Sequence, residues 1–383
     1  MGHFTIPRHI YIGKNALSEA LPSIRDCGSR ALIVTGPHIG KSSMMDVLKK
    51  SLQEAGVAFA VFDRITGEPT IGMIEEGVSV YRKNFCEFCI GLGGGSPLDA
   101  AKAIAFMTVN TGTLQDYCGK EIVGEAAAVA AIPTTSGTGS EATRFTVITD
   151  EERNIKMLLK GECLLPQIAV IDPGFSLDMP KSVTAATGLD ALTHAIEAYT
   201  SIKAMPLTDA LAISAISRIM KYLPRAYANG ADFKARDEMS IAAFEAGICI
   251  NNSSVTLVHG MSRPIGALFH VPHGLSNAML LKECLTFARD GACERFAALG
   301  RTVGSAAADS SDEEASITFI QSIGELCTIC EVLSLTEFGI DKQEFFSMID
   351  KMAVDAIASG SPGNTRKPVT ADDCTIIYKS LFP

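Results

Sequence analysis

An aspartate and three histidines in the second half of the chain have the residue types and spacing of a metal site. Asp190 and His194 are four residues apart in a stretch with helical periodicity, so their side chains share one helix face. His259 and His273 follow, each directly before a glycine that permits close packing. Each histidine alone would fit a hydrogen-bonded core position, but the four residues together favour a metal. One carboxylate with imidazoles suits Fe(II) or Zn(II), and such an ion can polarise a carbonyl oxygen.

Two glycine-rich loops in the first half could hold a dinucleotide. The first, Gly91–Lys102 (GLGGGSPLDAAK), follows a strand-like run and opens a helix, where backbone N–H groups can bind a pyrophosphate. It lacks the third glycine of the usual fingerprint, and a turn of this kind can be purely structural. The second, Ile132–Glu141 (IPTTSGTGSE), offers hydroxyls to the pyrophosphate, ribose and nicotinamide amide, although alone it could be a solvated turn. Together the loops predict a nucleotide cofactor.

The segments that must position these residues differ between the two halves. Apolar runs with the length of buried strands lie at 31–35, 58–62, 88–92, 127–132 and 168–171, and helical segments at 46–55 and 72–85 separate the first three. This alternation predicts βαβ units and a mostly parallel sheet. Later helices are predicted at 184–200, 206–223, 233–250, 276–303, 312–332, 342–358 and 370–381. We expect an α/β dinucleotide-binding domain at 1–181 and an all-α metal-binding domain at 182–383.

Composition narrows the class of protein. The chain has 383 residues, 47% hydrophobic and 20% charged, which suits compact domains and argues against disorder. A net charge of −10 gives no reason to expect nucleic acid as a partner. No apolar run approaches the ~20 residues of a membrane span, and the start lacks the pattern of a signal peptide. The eleven cysteines include two CxxC pairs far apart in the chain, which favour buried free thiols over a zinc site and predict a cytoplasmic location.

The chain resembles the iron-containing (group III, metal-dependent) alcohol dehydrogenases over nearly its whole length. The resemblance rests on GGGSPLD at 93–99, PTTSGTGSE at 133–141, GLDALTH at 188–194, VHG at 258–260 and VPHG at 271–274. It implies a dehydroquinate synthase-like architecture and an NAD(P)-dependent oxidoreductase that acts on CH–OH donors with iron or zinc. It also implies a homodimer or a higher homo-oligomer.

The resemblance also implies roles for individual residues. By motif position the metal ligands would be Asp190, His194, His259 and His273. The cofactor contacts in the two loops would be Gly93, Gly94, Gly95, Ser96, Asp99, Thr134, Thr135, Thr138 and Ser140, and Lys156 matches a lysine that meets the cofactor ribose. The ion would stabilise the negative charge that develops on the aldehyde oxygen as hydride arrives from the nicotinamide.

Two positions depart from the family pattern. Gly36 follows the strand at 31–35, where NAD-preferring members often carry an aspartate for the adenine ribose. Its absence leaves NADP(H) open, but no arginine stands beside it to bind the extra phosphate, so we expect NAD(H) with NADP(H) as a second cofactor. Arg263 stands where many relatives have a histidine that could relay a proton. The pKa of arginine stays above ~12, so Arg263 remains charged and cannot relay a proton. Its guanidinium predicts a fork that binds a carboxylate or sulfonate, with Arg144 as a second basic contact.

The leading hypothesis is therefore an NAD(P)H-linked reductase of a small anionic aldehyde, such as sulfoacetaldehyde or a semialdehyde. If Arg263 instead forms a structural ion pair, a general short-chain alcohol or diol dehydrogenase is the alternative. Proton delivery would fall to water, a ribose hydroxyl or His270. A dehydroquinate synthase-like lyase is a remote third hypothesis, because it would need several basic residues around the metal and typically a Glu-His-His ligand set. A non-catalytic cofactor sensor is the fourth.

Overall fold

The computed structural model describes residues 3–153 and 155–382. Within these residues the chain forms two compact units. The first covers Thr5–Met179, and the second begins at Pro180, runs to the end of the described chain and includes His3 and Phe4. The first unit is α/β with a parallel sheet and the second is helical, which confirms the fold class predicted from the sequence.

The first unit contains eight strands and four longer helices among the described residues. The strands are β1 (His9–Ile12), β2 (Arg30–Val34), β3 (Ala58–Phe62), β4 (Phe88–Gly93), β5 (Ala128–Pro133), β6 (Phe145–Asp150), β7 (Ile155–Lys160) and β8 (Ile168–Ile171). The helices are α1 (Ala16–Asp26), α2 (Ser43–Glu54), α3 (Ile71–Lys83) and α4 (Gly95–Val109). Six strands pair in parallel in the order β1-β8-β5-β4-β2-β3, whereas β6 and β7 form a separate antiparallel hairpin.

The sheet is buried on both faces, which explains its continuous apolar strands. In β2, Leu32 and Val34 pack into one core cluster while Ala31 and Ile33 pack into the other. Every residue of β4 is buried. A parallel sheet covered by helices on both sides needs apolar residues at successive positions, because neighbouring side chains point to opposite faces.

The strand order reverses between β2 and β4. From β2 the chain proceeds to β3 on one side, and from β4 it proceeds to β5 on the other. The carboxyl ends of β2 and β4 are joined by the buried Thr35, whose Oγ1 donates to Leu92 O at 2.7 Å. Open α/β sheets bind ligands at the carboxyl ends of strands where the order reverses, so this edge is where a nucleotide is expected.

The described part of the second unit consists of helices packed around a buried central one. They are α5 (Lys181–Thr200), α6 (Pro206–Ala228), α7 (Phe233–Ser253), α8 (Leu257–Phe269), α9 (His273–Ala288), α10 (Cys293–Val303), α11 (Asp312–Ile329), α12 (Leu335–Phe338), α13 (Lys342–Ala358) and α14 (Ala371–Ser380). In α5 nearly every residue from Gly188 to Thr200 is buried, and α6, α7 and α9 pack against it. No single described helix is long and apolar enough to cross a membrane, and α7 with α8 reach that composition only as a pair bent by 102°.

One helix prediction in this unit was wrong, and two helices, α8 and α12, were not predicted. The helix predicted at 276–303 is two helices, α9 and α10, separated by a short turn at Arg289–Gly291. A side chain at Gly291 would place its Cβ 2.4 Å from Lys367 N, so glycine allows that close approach. The helix α8 was not predicted at all, because Gly260, Pro264 and Gly266 lower its helix propensity.

Candidate metal centre and cofactor loops

The predicted ligands come together inside the second unit. Asp190 and His194 lie one turn apart on α5, His259 lies in the first turn of α8, and His273 is the first residue of α9. The Nε2 atoms of His194, His259 and His273 are 3.7, 3.6 and 3.8 Å from Asp190 Oδ1. Two ligands bonded to one ion at about 2.1 Å in a tetrahedral array are about 3.4 Å apart. The observed spacing therefore fits donor atoms that share an ion better than direct hydrogen bonds.

The ligand atoms of Asp190, His259 and His273 all lie within 4.8 Å of one another. The ring of His194 stacks on that of His259, with centroids 4.7 Å apart and an interplanar angle of 18°. Asp190, His194 and His259 are buried, whereas the His273 side chain is 45% exposed. A buried carboxylate surrounded by imidazole nitrogens fits Fe(II) or Zn(II).

Glu197, which the sequence analysis missed, fixes the orientation of His259. Its Oε2 lies 2.6 Å from His259 Nδ1, and its Oε1 accepts hydrogen bonds from Thr256 Oγ1 at 2.8 Å and Val258 N at 2.6 Å. Burial opposes ionisation of Glu197, but the nearby His259 outweighs burial and holds the Glu197 pKa below its usual value. With Nδ1–H directed at this carboxylate, His259 presents the lone pair of Nε2 to the ligand cluster. The available sequence signal was position, since Glu197 is one helical turn after His194.

The first glycine-rich loop requires its glycines. Gly93 has φ +152°, and a Cβ there would lie 2.6 Å from Pro97 Cγ. A Cβ on Gly95, the first residue of α4, would lie 2.9 Å from Thr138 Cγ2 in the second loop. The two loops thus touch at the N-terminus of α4, where free backbone N–H groups favour an anion.

The second loop is held in place by a buried lysine. Lys102 is 1% exposed, and its Nζ donates to Ser140 Oγ at 2.7 Å, Thr143 Oγ1 at 3.0 Å and Phe145 O at 2.9 Å. Its ion-pair partner is Asp99, whose Oδ1 accepts from Ser140 Oγ at 2.5 Å and whose Oδ2 accepts from Val147 N at 2.8 Å. The structure thus places the predicted contacts Asp99 and Ser140 in a network that ties the two loops together.

The remaining predicted cofactor contacts also lie in the first unit. Thr134 N donates to Gly93 O at 2.9 Å, and Thr135 packs against Gly94. Ser96 is half-buried in the first turn of α4. Lys156 is exposed on β7, and its Nζ pairs with Glu68 Oε1 at 2.5 Å.

The two predicted basic contacts have different surroundings. Arg144 pairs with Glu121 at 3.3 Å and with Glu162 at 4.0 Å. Arg263 is half-buried, and its Nη1 donates to Ser361 Oγ at 3.1 Å. Burial lowers the pKa of Arg263, and the charge of the Glu197 carboxylate opposes this shift. No carboxylate of the described chain lies within 4.0 Å of the guanidinium, so Arg263 has no direct ion pair there. Arg263 is one helical turn after His259, so both residues share a face of α8.

Comparison with known proteins identifies the family. The family model "Iron-containing alcohol dehydrogenase" matches residues 7–173. The model "Fe-containing alcohol dehydrogenase family, C-terminal" matches residues 184–382. The chain is 37% identical to alcohol dehydrogenase 4 of Schizosaccharomyces pombe over 99% of this chain and 89% of that protein. It is 35% identical to the NAD-dependent methanol dehydrogenase of Bacillus methanolicus over 100% of both. The crystal structure of a 1,3-propanediol oxidoreductase superposes with a TM-score of 0.96 at 31% identity, covering 100% of both chains.

The chain therefore belongs to the iron-containing alcohol dehydrogenase family. It is an oxidoreductase that acts on alcohols, and its family is metal- and NAD-dependent. This assignment replaces the lyase and the non-catalytic sensor that the sequence left open.

The buried Glu141 in the second loop predicts a pH-dependent stability. Burial raises its pKa from 4.5 to about 7, and within the described residues its Oε2 has no hydrogen-bond partner. The folded state therefore keeps a proton that the unfolded chain loses, and stability falls as pH rises through this window. We expect Glu141→Gln to flatten the decrease in unfolding free energy between about pH 5 and about pH 8 by on the order of 2 kcal/mol. Urea denaturation of the wild type and Glu141→Gln at several pH values measures this change in unfolding free energy.

The matched control for this measurement is Glu151→Gln, which changes an exposed glutamate of the same unit. It should leave the pH profile of the wild type unchanged. Parallel profiles for the wild type and Glu141→Gln would show that Glu141 does not titrate in this range.

Glu197→Gln should weaken metal binding. The substitution keeps the shape of the side chain but removes the charge that orients His259, and changes of this kind typically cost about 10- to 100-fold in metal affinity. Chelator competition with Zn(II) measures the affinity, and circular dichroism checks the fold. Glu245→Gln is the control, because Glu245 is a largely buried glutamate of α7 that bonds Ser214. An unchanged affinity in Glu197→Gln would remove Glu197 from the metal centre.

Proposed function

We propose that this protein is an NAD(P)H-linked aldehyde reductase, or alcohol dehydrogenase in reverse, whose substrate is a small anionic aldehyde such as a sulfo- or carboxy-aldehyde. The observation that carries the proposal is Arg263, a half-buried guanidinium one helical turn from His259 with no carboxylate partner within 4.0 Å in the described chain. A half-buried guanidinium without a direct ion pair is costly, and a substrate carboxylate or sulfonate would form one.

The proposed metal ligands are Asp190, His194, His259 and His273, and iron and zinc both suit this donor set. When bound, the ion supplies Lewis-acid stabilisation of negative charge on the substrate oxygen. Glu197 holds His259 in the tautomer that leaves Nε2 available. Arg263 would bind the anionic end of the substrate and fix its orientation. Arg263 cannot deliver a proton, so we assign that step to water, a ribose hydroxyl or the exposed His270.

The known relatives support two substrate classes. The solved sulfoacetaldehyde reductase of Bifidobacterium kashiwanohense superposes with a TM-score of 0.89 at 25% identity, covering 100% of this chain and 98% of that one. Its name states an anionic substrate, which agrees with the proposed role of Arg263. Other relatives are named for methanol, butanol and choline, none of which is anionic. A general short-chain alcohol dehydrogenase is therefore the second candidate.

For the cofactor, the glycine-rich loop at 93–96 and the hydroxyls at 134–140 are the proposed pyrophosphate and nicotinamide contacts, with Lys156 at the ribose. Gly36 cannot carry the usual aspartate, because a Cβ there would lie 2.8 Å from Ile65 O. The half-buried Asp63 directly follows β3 and lies against the loop after β2, since a Cβ on Gly40 would be 3.4 Å from Asp63 Oδ2. We propose that Asp63 repels a 2′-phosphate and favours NADH over NADPH. A cytoplasmic homodimer or larger homo-oligomer remains part of the proposal.

Arg263→Leu should raise KM for an anionic aldehyde by about 10- to 100-fold and leave KM for a neutral aldehyde of matched length within about threefold. Arg263→Lys should recover only part of the loss, because an ammonium cannot form the two parallel hydrogen bonds of a guanidinium. Steady-state NADH oxidation with sulfoacetaldehyde and with propanal measures both constants.

The control is Arg366→Leu, which removes the same charge from an exposed position of the same unit. If this variant loses as much affinity for the anionic aldehyde, the effect comes from the overall field of the protein. If Arg263→Leu changes both aldehydes equally, Arg263 is structural and the general alcohol dehydrogenase is the better assignment.

Asp63→Asn should raise kcat/KM for NADPH by about tenfold relative to NADH, since it removes a like charge facing the 2′-phosphate. Calorimetric binding of ADP-ribose and its 2′-phosphate should shift in the same direction without any substrate. Asp26→Asn, at the end of α1, removes an exposed charge from the same unit as the control. An unchanged preference in Asp63→Asn would exclude Asp63 from cofactor discrimination.

A further inference from the structure

Asn277 lies at the centre of the ligand cluster although no sequence motif pointed to it. Its side chain is 0% exposed and extends from α9, one helical turn after His273. Its Nδ2 lies 2.7 Å from Asp190 Oδ1, 3.2 Å from His259 Nε2 and 3.3 Å from His273 Nε2. One amide nitrogen thus contacts three of the four proposed ligands.

These three contacts differ in strength. An amide NH₂ has two hydrogens, so it cannot donate fully to three acceptors. The bond to the Asp190 carboxylate is the shortest and is charge-assisted, which makes it the strongest. The two imidazole contacts use the Nε2 lone pairs that a metal would need. Metal binding would therefore replace the imidazole contacts but leave the bond to Asp190, because a carboxylate oxygen has more than one acceptor position.

The opposite end of the same amide supports this role. Asn277 Oδ1 is buried and has no hydrogen-bond partner among the described residues. A buried carbonyl without a partner costs about 1–3 kcal/mol. The Oδ1 end of the amide is therefore destabilising, and only the contacts of Nδ2 can favour an asparagine at this position. The contacts that orient Asn277 come from the ligand cluster, and Asn277 in turn restrains Asp190.

The packing of α9 against α5 sets this geometry. A Cβ on Gly274 would lie 2.4 Å from Ala186 O, so the two helices approach at backbone distance there. Asn277 is three residues beyond Gly274 and Asp190 is four beyond Ala186, so each lies one turn further along the same contact. The close approach at Gly274 therefore brings the amide of one helix onto the carboxylate of the other.

We propose that Asn277 is a positioning residue of the metal centre, whose amide orients Asp190 and keeps the ligand set assembled before the ion binds. This inference depends on the proposed metal site. Loss of Asn277 should weaken metal binding by about 10- to 100-fold, the range found for groups that orient ligands. It should also change the ligand geometry around a bound ion.

The test compares the full-length wild type with Asn277→Leu, which keeps the volume without the donor, and Asn277→Ala, which avoids overpacking. Zn(II) affinity is measured by chelator competition, and the visible spectrum of Co(II) reports ligand geometry; neither needs substrate or nucleotide. Asn110→Leu is the control for loss of a structural amide, since Asn110 Nδ2 donates to Phe106 O and Glu125 O at 2.8 Å in the first unit.

The expected result is weaker Zn(II) binding and an altered Co(II) spectrum in a folded Asn277 variant, with both properties unchanged in Asn110→Leu. Wild-type affinity and spectrum in a folded Asn277 variant would overturn the positioning role while leaving the proposed function intact. A wild type that binds neither ion would overturn the metal site itself and this inference with it.

Discussion

Asp190 places a carboxylate inside a buried helix, and the second unit is arranged around that charge. An unpaired carboxylate in such a position costs several kcal/mol. Burial opposes its ionisation, but His194 and His273 outweigh burial and hold the Asp190 pKa below its usual range. The Asn277 amide adds a charge-assisted hydrogen bond. The residues around Asp190 therefore stabilise its charge as well as filling the core.

The first unit contains the complementary case, a buried cation. Lys102 extends from α4 and reaches the second glycine-rich loop and the start of β6 through Ser140, Thr143 and Phe145. Burial lowers the pKa of Lys102, and the charges of Asp99 and Glu141 oppose that shift. Removing one member of such a buried network leaves the others uncompensated. The loops that would contact a nucleotide are thus held in place by the buried Lys102 of α4.

Much of the fold could be predicted from the sequence because its signals are local. The apolar runs of β2, β3, β4, β5 and β8 predicted strands because a sheet covered on both faces excludes polar residues. The hairpin of β6 and β7 was missed because polar Thr146 and Asp150 occupy buried positions of β6 and because β7 includes two lysines. The helix α8 was missed because tertiary packing overrides its weak propensity: a Cβ on Gly260 would lie 2.6 Å from Pro362.

The contrast between local sequence signals and tertiary packing also applies to the candidate site. Histidine and aspartate at metal-ligand spacing are uncommon, so residue type and spacing single out Asp190 and the three histidines as candidate ligands. Glutamate and asparagine are frequent on helix surfaces, so their positions one helical turn after His194 and His273 do not by themselves separate Glu197 and Asn277 from solvated residues. Only the packing of α8 and α9 against α5 shows that both are buried against the ligand set.

The uneven burial of the four proposed ligands has a kinetic consequence. Asp190 and His259 are 3% and 4% exposed at their side chains, whereas His273 is 45% exposed. A bound ion would be reachable from the medium on the side of His273, so its exchange would need no opening of the helical core. Metal identity in a living cell would then follow the available ion pool over the lifetime of the folded chain, and would not be fixed when the chain folds.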